Sequence, residues 1–393
     1  MQQTWRWFGP RDKVSLTDAR QAGAEAIVTA LHDVPIGEVW PLEAIRERQE
    51  CVRAAGMDWT VVESLDVSER IKLREPGFEQ DIQNFVTSLR HLASCGIRVV
   101  AYNLMPVFSW MRTELAYPLP SGATATRFDA TVFAAFDLYM LRRKGADEEW
   151  GEARCRAAHD RYQSMTEGER ARTLATILQG LPGGNGSFTL EEVRSGIERY
   201  RDLGAAGFRA NAAEFLRAVC PVADDLSVRL CVHPDDPPQP LLGLPRIVST
   251  EADLAFLINQ WAGEANGITF CTGALGVSPN NDLGQMVRRF AHRIWFAHLR
   301  STQREADGES FFEVPHLEGD ADLVDMVMEL VKEERRRRSV GDDRALPFRA
   351  DHGQQILNDR ERNAQAGYPA IGRLRGLAEL RGAMRACERL LPA

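Results

Sequence analysis

Four side chains with affinity for divalent cations, His233, Cys271, His298 and Asp351, each close a short, strand-like apolar run. The runs are Val228–His233, Gly267–Cys271, Ile294–His298 and Leu346–Asp351. Two imidazoles, a thiolate and a carboxylate make a mixed soft and hard donor set suited to a first-row divalent ion. The ligand types by themselves admit zinc, iron(II), manganese(II) or cobalt(II). Taken singly, each residue has a plainer reading: a hydrogen-bonded imidazole for either histidine, a buried thiol for Cys271, a salt bridge or loop cap for Asp351. The weight of the signal is its recurrence at four strand ends. If all four hold one ion, catalysis requires more than four coordination positions so that substrate oxygens can also bind. That requirement favours manganese(II) or iron(II) over a closed tetrahedral zinc site.

The flanking residues refine this picture. Cys231 lies two positions before His233 and points to the same side of its strand, but about 6.6 Å deeper at roughly 3.3 Å per residue, which leaves His233 at the strand's mouth. The prolines of His233-Pro-Asp-Asp-Pro-Pro238 stop the strand, and Asp235 and Asp236 read as turn formers. His352 directly follows Asp351, and Tyr368 sits in a nearby Gly-Tyr-Pro turn. Each is either an orienting or packing residue or a proton donor or acceptor beside the metal.

Such residues meet only if their strands do. Eight runs read as parallel strands: Thr4–Phe8, Ala26–Leu31, Trp59–Ser64, Arg98–Leu104, Val228–His233, Gly267–Cys271, Ile294–His298 and Leu346–Asp351. Most are continuously apolar, as strands covered on both faces are. Helical patterns separate them at Ser15–Ala22, Leu42–Ala55, Phe78–Ser94, Ala252–Trp261, Leu283–Ala291 and Ala321–Glu334. Strand then helix around a ring predicts an α/β fold, a (β/α)8 TIM barrel, whose active site lies where the carboxyl ends of the strands converge. The pattern breaks between strands four and five, where residues 105–227 form a large, mainly helical insertion expected to cap the barrel mouth. Its helical stretches are Ala130–Arg143, Glu152–Met165, Glu169–Leu178, Leu190–Leu203 and Asn211–Cys220. The Gly-rich run Leu181–Ser187 has no following Gly-Lys-Ser/Thr and no preceding strand, so it reads as a turn rather than a phosphate cradle. The expected organisation is one barrel domain over residues 1–393.

Composition agrees with an ordinary globular protein: 393 residues, 44% apolar and 26% charged. A net charge of −8 argues against non-specific nucleic-acid binding. The run Arg335–Arg338 closes a helix and reads as a solvated helix end that suits the dipole. No basic segment followed by an apolar core opens the chain, and no run has the length of a membrane span. Seven scattered cysteines suggest reduced thiols in a cytoplasm. A homo-oligomer is compatible with the sequence but not specified by it.

Along nearly its whole length the chain resembles mannonate dehydratase. The resemblance is carried by Thr4–Pro10, Ile27–Pro35, Gly37–Trp40, Val61–Ser64, Tyr102–Pro106, His233–Pro238, Gly243–Thr250, Cys271–Gly273, His298–Thr302 and Asp351–Gly353. It implies a metal-bearing barrel that converts D-mannonate to 2-dehydro-3-deoxy-D-gluconate in hexuronate breakdown, with manganese(II) or iron(II) as the ion. The family's metal ligands match His233, Cys271, His298 and Asp351, and its proton-transfer residues match His352 and Tyr368. Arg6 and Arg300 become candidates for gripping the sugar-acid carboxylate or hydroxyls, since the guanidinium fork suits carboxylates, with a structural salt bridge as the alternative. His32 and Asn103 are candidate hydroxyl contacts. Departures from the family pattern are Ala350 in place of proline, Gln354 where a basic or imidazole side chain is common, and Ser109 where aspartate is frequent. Competing readings are a dehydratase of another aldonic acid, a metal-dependent sugar isomerase, a His-x-His hydrolase, and a non-catalytic sugar-acid binder with structural zinc. The thiolate and single carboxylate count against the isomerase, and the first strand lacks the pair a His-x-His hydrolase needs.

Overall fold

Twelve strands occur in the computed structural model, which describes residues 1–180 and 187–392. They are β1 (Gln2–Arg6), β2 (Ala26–Thr29), β3 (Asp58–Glu63), β4 (Val99–Asn103), β5 (Glu114–Pro118), β6 (Thr124–Phe128), β7 (Arg229–His233), β8 (Asn266–Cys271), β9 (Ile294–His298), β10 (Ser301–Arg304), β11 (Phe311–Val314) and β12 (Pro347–Arg349). Eight of them close into a parallel barrel in the order β1-β12-β9-β8-β7-β4-β3-β2. A helix follows each barrel strand: Leu16–Gln21, Leu42–Ala54, Phe78–Ser94, Gly204–Asp225, Glu251–Ile258, Leu283–Phe290, Leu323–Ser339 and Ala370–Leu390. This is the (β/α)8 TIM barrel. The turn read at 181–187 lies, but for Ser187, outside the described residues.

Local sequence explains the ring of helices. The Ser15 hydroxyl accepts from the Asp18 backbone while the Asp18 carboxylate accepts from Ser15, a reciprocal cap repeated by Thr250 and Asp253. Such caps each contribute about 1 kcal/mol by satisfying otherwise orphaned N–H groups. The Phe78–Ser94 helix buries Phe85, Val86, Leu89, Leu92 and Ala93, one stripe at helical spacing turned toward the sheet. Inside the barrel, Val28, Val61, Ala101, Cys231, Trp295 and Phe296 form a separate apolar plug. Gly267 belongs to that layer, since a Cβ on it would lie 2.1 Å from Trp295 Cδ1. Above the plug, β1, β3, β4, β7, β8, β9 and β12 end on Arg6, Glu63, Asn103, His233, Cys271, His298 and Arg349 respectively. Registers place Asn103 opposite His233, Cys271 opposite His298, and His298 opposite Arg349.

The segment between β4 and β7 is mainly helical but also contains the β5–β6 hairpin. That hairpin joins β10 and β11 in an antiparallel side sheet of order β10-β11-β6-β5. The sequence reading omits all four strands, because β6 and β11 are partners nearly two hundred residues apart and leave no local signature. It also omits the closing helix Ala370–Leu390, and it stops the helix before Pro221, whereas the helix runs through that proline to Asp225. The arginine run is not uniformly solvated. Arg337 is buried, pairs with Glu333 at 2.9 Å and donates to the Ala291 and Ile294 carbonyls at 2.7 and 2.9 Å. No helix among the described residues is long and apolar enough to cross a membrane.

Candidate metal centre

The donor atoms of His233, Cys271 and His298 lie within 4.8 Å of one another. His233 Nε2 and His298 Nδ1 face each other at 3.1 Å. Asp351 Oδ2 is 3.9 Å from Cys271 Sγ and 3.9 Å from His298 Nδ1, so the fourth residue stands beside two members of this three-donor cluster from beyond β12. Each orientation has a local cause. His233 Nδ1–H donates to the Pro234 carbonyl at 2.7 Å, which leaves the Nε2 lone pair facing inward. Burial holds the His233 imidazole below its ordinary range, in the neutral form a ligand requires. His298 Nε2 lies 3.4 Å from Glu63 Oε2, a carboxylate placed behind an imidazole as in metal sites generally. Asp351 adopts a left-handed backbone, φ 59°, which aspartate tolerates better than most residues. Burial would raise its carboxyl, but Arg349, His352, Arg300 and His298 outweigh this and hold it well below the usual range.

Beside this cluster, His352 Nδ1 lies 2.8 Å from Glu313 Oε1, and His352 Nε2 lies 3.2 Å from the Tyr368 hydroxyl. A proton on Nδ1, donated to that carboxylate, would leave Nε2 to accept from Tyr368. Burial keeps the Tyr368 phenol protonated by raising its pKa. Burial would raise Glu313 too, yet Arg300, His352 and Arg112 bring it down to about 2.

A cavity of about 480 Å³ takes in Arg6, His32, Asn103, His233, Arg300, Asp351, His352 and Tyr368. Residues of the 105–227 segment, among them Val107, Ser109, Trp110 and Gln179, line it too. All the residues singled out from sequence are therefore brought to one end of the barrel. Their pairings differ. Arg300 is ringed by carboxylates: Nη2 meets Asp236, Nη1 meets Glu313 at 2.5 Å, and Nε stands 2.8 Å from Asp351 as an ion pair without hydrogen-bond geometry. Its side chain also requires Gly273, whose Cβ would lie 2.3 Å from Arg300 Nε. Arg6 Nη1 pairs with Glu63 at 2.6 Å, while Arg6 Nε has no partner among the described residues. His32 Nε2 is likewise unpartnered, and burial with help from Arg6 and Arg48 pushes the imidazole down to about 3. Asn103 donates to Asp66 at 3.3 Å.

Sequence reasoning missed the site roles of five charged residues: Glu63, Arg349, Asp236, Arg112 and Glu313. Glu63 and Arg349 end barrel strands just as His233, Cys271 and His298 do, and that position is the signal that could have found them. Asp236, read as a turn former, instead spends its carboxylate on a buried pair with Arg112 at 2.7 Å. Asp235 is buried as well and accepts from Val248 N at 2.8 Å and Ser249 Oγ at 2.9 Å. Arg112 and Glu313, on a loop and in the side sheet, had no sequence signal. The Ala350 carbonyl accepts from His316 Nε2 at 2.6 Å, Gln354 is buried, and Ser109 faces the cavity.

Comparison with known proteins agrees with this geometry. The family model described as D-mannonate dehydratase (UxuA) matches residues 1–391. A mannonate dehydratase of Chromohalobacter salexigens is 51% identical over 390 residues, covering 99% of this chain and 100% of that protein. One from Rhizobium meliloti is 49% identical over 98% of this chain and 97% of that protein. The crystal structure of mannonate dehydratase from Streptococcus suis serotype 2 superposes with a TM-score of 0.77 at 32% identity, covering 99% of this chain and 94% of that one. A matching family model across nearly every residue, and relatives of this identity at full length, make the chain a member of the D-mannonate dehydratase family.

Proposed function

We propose that the protein dehydrates D-mannonate to 2-dehydro-3-deoxy-D-gluconate, with manganese(II) or iron(II) held by His233, Cys271, His298 and Asp351. The observation that carries this reading is the convergence of the His233, Cys271 and His298 donors, with Asp351 next to two of them, beside the His352–Tyr368 pair. The residues fit a cation: with His233 Nδ1–H on the Pro234 carbonyl and His298 Nε2–H turned to Glu63, the two inner nitrogens, 3.1 Å apart, both offer lone pairs that a positive charge would accept. A thiol and a carboxylate beside them complete the set. When bound, such an ion stabilises the negative charge that develops as a proton leaves the carbon next to a carboxylate.

The chain's own groups supply the proton transfers. His352, with Nδ1–H fixed on Glu313, presents its Nε2 lone pair as the base for the C2 proton. Tyr368, a protonated phenol, donates to the departing C3 hydroxyl, which leaves as water. The enol then tautomerises to the ketone. The hydrogen bond between His352 Nε2 and Tyr368, 3.2 Å, returns the proton from imidazolium to phenolate and resets the pair. Arg6 Nε and His32 Nε2 remain to meet substrate oxygens, Asn103 keeps a second Nδ2 hydrogen beyond the one given to Asp66, and Arg300 acts by holding Asp351 and Glu313 in place. The 105–227 segment caps the cavity and limits access of bulk water. Seven unpaired cysteines fit a reducing cytoplasm.

The test is separate substitution, His352→Gln and Tyr368→Phe, with bound metal quantified by mass spectrometry. Each variant should retain metal and lose about 10²–10⁴-fold in kcat. A metal-loaded variant forming the keto acid at the parent rate refutes the role assigned to that residue.

A further inference from the structure

We infer that Glu313, on the side-sheet strand β11, is a positioning residue that fixes which ring nitrogen of His352 carries its proton. The inference rests on the dehydratase reading above for what His352 then does. Glu313 Oε1 is met by four groups: His352 Nδ1 at 2.8 Å, Arg300 Nη1 at 2.5 Å, Arg112 Nη2 at 3.2 Å and Thr126 Oγ1 at 3.5 Å. Arg112 is itself clamped by Asp236 at 2.7 and 3.2 Å and lies over the Trp110 and Phe311 rings at 4.6 and 4.7 Å. The carboxylate oxygen is thus immobilised from several sides.

The consequence for His352 follows from the donor inventory. Arg300 Nη1 also lies 2.8 Å from His352 Nδ1. A guanidinium can only donate. If Nδ1 carries a proton, two donors face each other, and only the Glu313 oxygen that both share makes the contact tolerable. Without Glu313, the Arg300 N–H is the nearest group and selects the opposite tautomer, Nδ1 bare and Nε2 protonated. Nε2–H would then confront the Tyr368 hydroxyl at 3.2 Å and could no longer accept a proton from substrate. The side sheet, joined to the barrel through β9 and β10, therefore delivers the acceptor that makes the histidine a base.

Two measurements test this. Histidine nitrogen-15 NMR on the parent protein loaded with zinc, a diamagnetic occupant, should show His352 protonated at Nδ1, its signal identified by loss in His352→Gln. A His352 signal protonated at Nε2 overturns the inference. In kinetics, Glu313→Ala should lose about 100-fold or more in kcat with KM within about threefold of the parent. Glu313→Gln keeps an acceptor oxygen, which the two arginines pin toward His352, and should recover kcat to within about tenfold. Equal losses in both variants, each shown to be folded by thermal melting, would indicate a charge-pairing role and sink the positioning role. If Glu313→Ala does not fold, the NMR result on the parent protein decides. A parent enzyme that yields no keto acid from D-mannonate overturns the dehydratase reading instead, and the tautomer is still read from NMR.

Discussion

Glu63 shows how much one buried carboxylate can govern. It receives Arg349 through two hydrogen bonds, 2.9 and 2.7 Å, and Arg6 through one of 2.6 Å, while standing 3.4 Å behind His298 Nε2. Burial disfavours its charge, but Arg349, Arg6 and His298 together hold the carboxyl well below the usual range. A carboxylate in this position orients the imidazole and makes it a stronger ligand, and removing such a partner costs roughly 10–100-fold in metal affinity. Glu63→Gln should therefore weaken manganese binding by about that factor in a chelator competition titration. Affinity equal to the parent would show that His298 is oriented by packing alone. At this scale the candidate donors were legible, because His and Cys at strand ends are unusual residue choices. Glu63 and Arg349 were not, because charged residues are common and only their partners distinguish these two.

Elements position these side chains through close approaches that leave no spare volume. Gly273 opens the turn after β8, and Arg300 passes where its side chain would be. Gly273→Ala should destabilise the protein by about 1–3 kcal/mol through overpacking, and it should lower kcat because Arg300 anchors both Asp351 and Glu313. Gly382 is the control: it lies within the last helix, where an added methyl group would meet no described atom within 4 Å. Gly382→Ala should stabilise by up to about 1 kcal/mol through helix propensity. Denaturant titrations of both variants read the contrast, and equal effects would contradict the packing account. Most strand and helix positions followed from apolar runs and caps. The side sheet did not, since its hairpins are completed by a strand from the far side of the barrel.

For the whole molecule, acid sensitivity follows from groups buried in unfavourable protonation states. His32 has an ordinary value of 6.5 and a folded value of about 3, so between these the unfolded chain binds a proton that the fold refuses. Stability contributed by neutral His32 is present above pH 6.5 and lost as pH falls toward 3. His233 and His316 are shifted in the same direction by burial. Glu313, ordinarily 4.5 and here about 2, adds a second loss in the window from pH 4.5 to 2. The melting temperature should thus decline from pH 7 to pH 4.5 and fall more steeply below, with His32→Asn reducing the first slope. A melting temperature that is constant or rising down to pH 4.5 would rule this out. Chelation tests the same scale: a metal present at 100 times its Kd adds about 2.7 kcal/mol. Removing it should lower the melting temperature by several degrees and abolish turnover together.

Sequence alone determined the eight barrel strands, most of the helices between them, the four candidate donors at or just past strand ends and the family, because these depend on residue type, local periodicity and position within one element. Tertiary structure alone decided which groups pair: Arg349 with Glu63 across 286 positions, His352 with Glu313 across 39. Ion pairs and tautomers depend on distances between elements that barrel closure sets, and no spacing along the chain encodes them. The closed ring brings a list of strand-end residues together into a candidate metal centre, and the side sheet sets a carboxylate against its neighbouring histidine.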